Sequence, residues 1–342
     1  MTALRIINLM GPEMTRLVEA RFGKSVTVIE LVPDSPVGKD LLGEVVLAPG
    51  RAAGLPDARW LLDVARCGAK WVHIAGANVG DVPVELFERG RIVTCSRGAM
   101  AAPISEFVLA SMLALEKRFP HSWLSRPPAA GWGYRGELEA DDAPSQVEMQ
   151  PPPRWGYSDL GTLEGKVLGI FGFGSIGRAT ATKALAFGMT VLAVRRRHAG
   201  GGMEGVGMVA TLPEMARLAD HMLVAAPATP ATEHVFNMQM FSQMKPGAHL
   251  VNVARGSLVN QEHLVEALDA GHLAFATLDV TQPEPLPAGH PLYRHAKVHL
   301  SPHISWCSPR KQQRTGEIVI TNVESYLNGI PLHGVVDADE RY

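Results

Sequence analysis

Cysteine is scarce in this chain of 342 residues: Cys67, Cys95 and Cys307 are scattered and odd in number. That usage argues against a disulfide framework and fits reduced thiols in a cytoplasmic protein. Charge of one sign is also lacking, with 32 Lys and Arg against 34 Asp and Glu and a formal net charge of −2. Such a balance would not draw the whole chain to a nucleic-acid backbone, so no nucleic-acid partner is expected. Long apolar runs are missing too. No stretch approaches the ~18 apolar residues of a membrane helix, and no membrane partner is expected. The run Leu4–Leu9 is too short for a signal segment, is followed by Gly11-Pro12-Glu13, and reads as a first strand. There is no short internal repeat. Metal-ligand patterns are absent as well. His295, His299 and His303 recur at four-residue steps, but Pro302 argues against the helix that would align them. No paired-Cys or HExxH set accompanies them, so no metal is expected.

What is present is enough apolar residue, 46%, for full cores, and a length that suits two ordinary domains. The most informative stretch runs from Lys166 to Arg197. An apolar run, Val167 to Phe171, leads into Gly172-Phe173-Gly174-Ser175-Ile176-Gly177. A helical pattern over Arg178–Phe187 and a second apolar run over Met189–Val194 follow. This is strand, glycine turn, helix and strand, the sequence form of a dinucleotide-binding βαβ unit. Gly172 allows the tight turn, Gly174 lets a pyrophosphate approach the backbone, and Gly177 lets helix and strand pack closely. The pyrophosphate would meet free N–H groups at the helix N-terminus. An ordinary tight strand–helix turn is the plain alternative. A kinase glycine loop is set aside, because a helix rather than a lysine-bearing strand follows.

At the end of the second strand, an NAD-binding unit carries an acid for the ribose hydroxyls. Here that position falls at Arg195, followed by Arg196, Arg197 and His198. Guanidinium groups there suit a 2′-phosphate, so NADP(H) is expected over NAD(H), with NAD(H) use still open. A solvated basic loop is the competing reading.

Elsewhere the chain alternates. Strands are expected at Ile6–Met10, Ser25–Leu31, Glu44–Ala48, Trp71–Ile74 and Ile92–Thr94, with helices at Pro12–Phe22 and Arg59–Cys67. That is an α/β domain with a mostly parallel sheet, whose ligands lie beyond the strand C-termini. The small-residue loop from Ala75 to Gly80 lies at one such end and is equally a carboxylate nest or a plain turn. Pro103–Lys117 reads as a buried apolar helix. Residues 121–158 fit no regular element, and their prolines, glycines and aromatics suggest an ordered excursion packed on a neighbour. Later strands are expected at His221–Ala226, His249–Val253, Ala274–Val280 and Lys297–Leu300, with helices at Gln261–Ala270 and Pro309–Leu327. The glycine fingerprint starts in mid-chain, so a dinucleotide domain is inserted into another domain. The expectation is two Rossmann-like α/β domains with parallel sheets: residues 1–102 with 307–342, flavodoxin-like and substrate-binding, and 103–306, dinucleotide-binding.

Arg255, Glu284 and His303 each lie at or just beyond the end of a later strand. Reduction of a 2-oxo acid needs such a set: a cation for carboxylate and carbonyl, an acid for the carbonyl oxygen, and a carboxylate that orients the acid. Each also has a bland reading, as a salt-bridge partner, a surface histidine or a solvated acid.

Taken together, Gly76-Ala77-Asn78, the Gly172–Gly177 fingerprint, Pro227-Ala228-Thr229-Pro230-Ala231-Thr232 and Met244 to Ala248 resemble one family. Val251 to Gly256, Leu278-Asp279-Val280 with Glu284-Pro285-Leu286-Pro287, and Ser301 to Ile304 extend the match. The family is that of the D-isomer-specific 2-hydroxyacid dehydrogenases, of the glyoxylate/hydroxypyruvate reductase kind. The resemblance implies an oxidoreductase with an Arg255–Glu284–His303 catalytic set. It implies that the backbone of Gly76 and Ala77, with Arg255 and His303, holds the substrate. It implies that Ser175 and Ile176 line the pyrophosphate, that Asp279 meets the nicotinamide carboxamide, and that Pro227, Thr232 and Ala254 belong to the cofactor site. A homodimer joined through the nucleotide domain is implied too. Two departures stand out: Arg195 in place of the usual acid, and the stretch 121–154, longer than the family's usual connection before Leu163-Glu164-Gly165-Lys166. Trp306 and Arg51 are candidate pocket-lining residues. Rival readings are a nucleotide-sensing, co-repressor-like binding protein and a dehydrogenase of another acid.

Overall fold

The computed structural model describes residues 3–32, 35–38, 41–50, 57–77, 79, 82–119, 160–194 and 202–338, and statements of absence below refer to these. The expectations for Arg51, Asn78, residues 121–158, Arg195 and Arg196 lie outside them. The chain divides into two compact units, residues 1–100 with 308–342, and 101–307.

The first unit is built on five parallel strands: β1 (Leu4–Asn8), β2 (Val26–Glu30), β3 (Val45–Pro49), β4 (Trp71–Ala75) and β5 (Ile92–Cys95). Their order is β2-β1-β3-β4-β5, the flavodoxin-like arrangement. Helices α1 (Pro12–Phe22) and α2 (Ala58–Arg66) come from this part of the chain. Pro12 stands at the start of α1, where its missing N–H costs nothing. Asp57 caps α2 by accepting the N–H groups of Arg59 and Trp60. One face of the sheet packs Leu61, Val64, Ile74, Val93 and Val336, all buried. The other packs Ile6, Val18, Leu47 and Trp71 with Val319 and Val323. Those last two come from α8 (Lys311–Leu327), so the C-terminal segment completes the first unit.

The second unit holds α3 (Ala101–Glu116), β6 (Val167–Phe171), α4 (Ser175–Ala186), β7 (Thr190–Val194), β8 (Val206–Met208), α5 (Leu212–Ala216) and β9 (His221–Val224). It continues with α6 (Met238–Phe241), β10 (Ala248–Asn252), α7 (Gln261–Asp269), β11 (Leu273–Leu278) and β12 (Val298–Leu300). Its seven parallel strands run β12-β11-β10-β9-β6-β7-β8. The order reverses at β6, between β9 and β7, and ligands of such sheets bind at that switch point. The strands are buried on both faces, as parallel sheets require: β9 and β10 show no exposed residue.

At the opposite edge, near the strand N-termini, a buried polar network ties α3 to the sheet. Lys166 Nζ and His221 Nε2 lie 2.6 and 3.1 Å from Glu116 Oε1. His221 Nδ1 meets His249 Nδ1 at 3.1 Å, and His249 Nε2 meets Thr277 Oγ1 at 2.9 Å. Burial drives the Glu116 carboxyl up, but hydrogen bonds from His221 and Lys166 outweigh it and hold the group below its ordinary range. Burial, then the neighbouring His221, push the His249 imidazole well down, so it stays neutral. This network joins α3 to β9, β10 and β11.

Candidate active site

The glycine turn sits at the switch point. Gly172 has φ 103°, and a Cβ there would strike the backbone of Ala225 and Ala226 beyond β9. Two strand ends thus approach so closely that only glycine fits. A Cβ on Gly174 would meet nothing within 4 Å, which leaves open space over the turn. A Cβ on Gly177 would lie 2.6 Å from the Gly172 oxygen and 3.0 Å from Ile170 Cγ2, so helix and strand pack through it. Gly174 is the N-cap of α4 and no side chain caps the helix. The first-turn amides of Ser175, Ile176 and Gly177 therefore meet no capping side chain, as an anion site at a helix start requires. A dinucleotide pyrophosphate fits this cradle. Thr232 bonds locally. Its hydroxyl donates to the Pro227 carbonyl at 2.8 Å and accepts the Thr229 N–H at 2.8 Å, which shapes the loop after β9. Pro227 is exposed on that loop, and Ala254 is buried.

Three adjacent strands, β10, β11 and β12, carry Arg255, Glu284 and His303 beyond their C-terminal ends. Asn252, fully buried, shapes the first turn: its Oδ1 accepts the Ala254 N–H at 3.0 Å and its Nδ2 donates to the Arg255 carbonyl at 2.9 Å. Arg255 Nη1 donates to the Ala254 carbonyl at 2.5 Å. Gly256 follows, and a Cβ there would run into the backbone of Thr281 and Gln282. The Arg255 turn and the Glu284 loop thus lie in backbone contact. Gln261, the first residue of α7, fixes the same loop from both sides. Its Nε2 donates to the Gln282 carbonyl at 2.6 Å, and its Oε1 accepts the Gln282 N–H at 3.0 Å.

Glu284 and His303 meet. Glu284 Oε1 accepts the Thr281 N–H at 3.0 Å, and His303 Nδ1 lies 3.0 Å from Glu284 Oε2. A carboxylate only accepts, so Nδ1 carries the proton in this bond and Nε2 is left to exchange one with a ligand. Both side chains are about two-fifths exposed, open enough for a substrate to reach them. His303 has φ 55°, a conformation that costs a non-glycine residue of order 1 kcal/mol and persists where the surroundings impose it.

The residue that imposes it is Asp279. It is 1% exposed. Its Oδ1 accepts the Ser301 hydroxyl at 2.7 Å and the Ile304 N–H at 2.8 Å, and its Oδ2 accepts the Ser305 N–H at 3.0 Å. Asp279 thus grips the His303 loop from both sides of the histidine. Sequence reasoning gave this aspartate a cofactor contact and missed the grip. The available signal was the run of donors Ser301 and Ser305 around His303, opposite a strand-end carboxylate.

In the first unit, Gly76 and Ala77 follow β4. The Gly76 N–H donates to the Ile74 carbonyl at 2.8 Å, so of the two amides the one at Ala77, on an exposed residue, is the better placed to receive a ligand.

Comparison with known proteins agrees with this architecture. Residues 145–305 match the NAD binding domain of the D-isomer specific 2-hydroxyacid dehydrogenases. A hydroxypyruvate reductase of Blautia hydrogenotrophica is 35% identical over 186 residues, covering 54% of this chain and 58% of that relative. A glyoxylate reductase of Thermofilum pendens is 32% identical over 254 residues, covering 73% of this chain and 68% of the relative. A crystal structure of a D-isomer specific 2-hydroxyacid dehydrogenase family protein from Aeromonas salmonicida superposes with a TM-score of 0.72 at 28% identity, covering 99% of this chain and 100% of that one. The chain therefore belongs to the D-isomer specific 2-hydroxyacid dehydrogenase family of NAD(P)-dependent oxidoreductases.

Proposed function

We propose that this chain reduces a small 2-oxo acid, glyoxylate or hydroxypyruvate, to the corresponding 2-hydroxy acid, of D configuration where the product is chiral, with NADPH preferred over NADH. The observation that carries the reading is the His303–Glu284 pair at 3.0 Å, on the same sheet edge as the glycine cradle. Residues 101–307 take the role of dinucleotide domain, and residues 1–100 with 308–342 that of substrate domain.

The cradle of Gly172, Gly174, Ser175, Ile176 and Gly177 would hold the pyrophosphate, and Arg195 with Arg196 the 2′-phosphate. Pro227, Thr232, Ala254 and Asp279 would complete that site. When bound, the nicotinamide supplies the hydride. The chain's own residues do the rest. Arg255 and the Ala77 amide, with Gly76 shaping the turn, orient the substrate carboxylate and carbonyl. His303 holds a proton at Nε2 and passes it to the carbonyl oxygen as the alcohol forms. Glu284 holds the imidazole through Nδ1 and offsets its positive charge. The chain acts as a homodimer in the cytoplasm.

The test is steady-state turnover of glyoxylate and hydroxypyruvate with NADPH and with NADH. The expected outcome is rapid cofactor oxidation and a kcat/KM favouring NADPH. A clear NADH preference defeats the cofactor assignment. Cofactor binding with no turnover of any 2-oxo acid points instead to a nucleotide-sensing protein.

A further inference from the structure

Four buried polar side chains of the first unit take no part in the proposed chemistry: Trp71, His73, Thr94 and Ser96. His73 lies on β4 opposite Thr94 of β5, in register. Trp71 Nε1 donates to Thr94 Oγ1 at 2.8 Å, His73 Nδ1 lies 2.8 Å from the same oxygen, and His73 Nε2 lies 2.9 Å from Ser96 Oγ. Indole is a donor only. Thr94 Oγ1 therefore accepts from Trp71 and pairs with His73 Nδ1, as donor or as second acceptor according to the tautomer of the ring. The neutral imidazole carries one hydrogen, and its two ring nitrogens bond Thr94 on one side and Ser96 on the other. Burial holds His73 at about 4, so the ring is neutral near pH 7.

Ser96 is where the chain of bonds ends, and it sits against the Gly76–Ala77 turn. Its N–H is shared between the Ile74 carbonyl at 3.1 Å and the Gly76 carbonyl at 3.0 Å. It thus closes the turn across its mouth. On the other flank Gly50, just past β3, presses on the same turn: a Cβ there would lie 2.9 Å from the Ala75 carbonyl carbon and 3.1 Å from Gly76 Cα. The turn is held between the ends of both neighbouring strands.

We infer that His73 and Ser96 form a positioning clamp that presents the Ala77 amide to the carboxylate of the substrate. This role rests on the proposed reduction of a 2-oxo acid. A satisfied core histidine alone would need only its two hydroxyl partners. The added feature is that one partner also bonds, through its own amide, both carbonyls of the turn. Ser96 and His73 are therefore positioning residues; neither touches substrate. Loss of the clamp weakens carboxylate binding in ground state and transition state alike, which raises KM and leaves kcat.

The test uses the full chain with glyoxylate and NADPH. Ser96→Ala is expected to raise KM for glyoxylate roughly tenfold, the effect of one misplaced hydrogen bond, with kcat and the NADPH Kd near wild type. Ser96→Thr, which keeps the hydroxyl, is expected to restore KM. His73→Gln is expected to follow Ser96→Ala. Hydrogen exchange on the wild-type protein gives an arm that needs no variant. The Gly76 and Ser96 amides should exchange slowly, and that of Ala77 fast until oxalate is added. Wild type that is active while Ser96→Ala keeps its KM overturns the clamp and leaves the reductase standing. So does fast exchange at Gly76 and Ser96. Wild type that reduces no 2-oxo acid overturns the reductase, and this role with it.

Discussion

Replacing Asp279 tests the architecture of the His303 loop most directly. Its carboxylate receives three hydrogen bonds, from the Ser301 hydroxyl and the amides of Ile304 and Ser305, and is almost wholly buried. Bonds to a charged acceptor contribute about 1.5–3 kcal/mol each, so Asp279→Ala removes about 4–6 kcal/mol once water re-solvates part of the loop. His303 at φ 55° adds of order 1 kcal/mol of strain that the loop then releases. The loop opens, and the imidazole leaves Glu284. A loss of 4 kcal/mol corresponds to roughly 10³ in rate, so kcat/KM should fall by about 10²–10³. At about 2–4 °C per kcal/mol for a unit of this size, the apo-protein Tm should fall by roughly 8–24 °C. Asp279→Asn separates the bonds. Its oxygen still accepts from Ser301 and Ile304, while its amide nitrogen confronts the Ser305 N–H, so an intermediate loss of about 2–3 kcal/mol is expected. Calorimetry without cofactor and steady-state kinetics read both. If Asp279 served only a bound cofactor, the apo Tm would not move and NADPH Kd would carry the loss. Asp279→Ala with unchanged apo Tm and kcat/KM within threefold of wild type refutes the reasoning.

Other outcomes follow from the same geometry. His303→Gln should lower kcat by about 10²–10⁴ with modest change in NADPH Kd; near-normal kcat would remove His303 from the mechanism. Gly177→Ala puts a methyl 2.6 Å from the Gly172 oxygen, and overpacking of this kind costs about 1–3 kcal/mol. A lower Tm and weaker NADPH binding, read by nucleotide fluorescence, are expected together. Stability should also fall with acid through His73, whose folded value is about 4 against 6.5 in the open chain. A depressed imidazole contributes stability present above the unfolded value and lost as pH falls toward the folded one. Linkage gives about 2 kcal/mol lost between pH 7.5 and pH 5, and about 3 kcal/mol in all by pH 4. Urea unfolding across that range measures it, and His73→Gln should flatten that part of the slope.

Most strands were legible because parallel strands buried on both faces read as short apolar runs between glycine and proline breaks, as at Val167–Phe171 and Ala248–Asn252. The strand Val206–Met208 was not. It is three residues long, carries Gly207 at its centre, and exists through pairing with Thr190–Val194 at the sheet edge. The brief helices at Leu212–Ala216 and Met238–Phe241 are likewise too short for any periodicity to show.

The sequence by itself determined the glycine cradle, because its strand, turn and helix are contiguous and each glycine answers a local steric demand. It also marked Arg255, Glu284 and His303, since residues just past parallel strands share one edge. Only the tertiary structure decided their contacts. The Glu284–His303 bond, the grip of Asp279 on Ser301, Ile304 and Ser305, and the tie from His73 through Ser96 to Gly76 each join residues about 20 positions apart. Pairs that distant meet through the lateral order and register of the strands, which long-range pairing sets and local pattern does not encode.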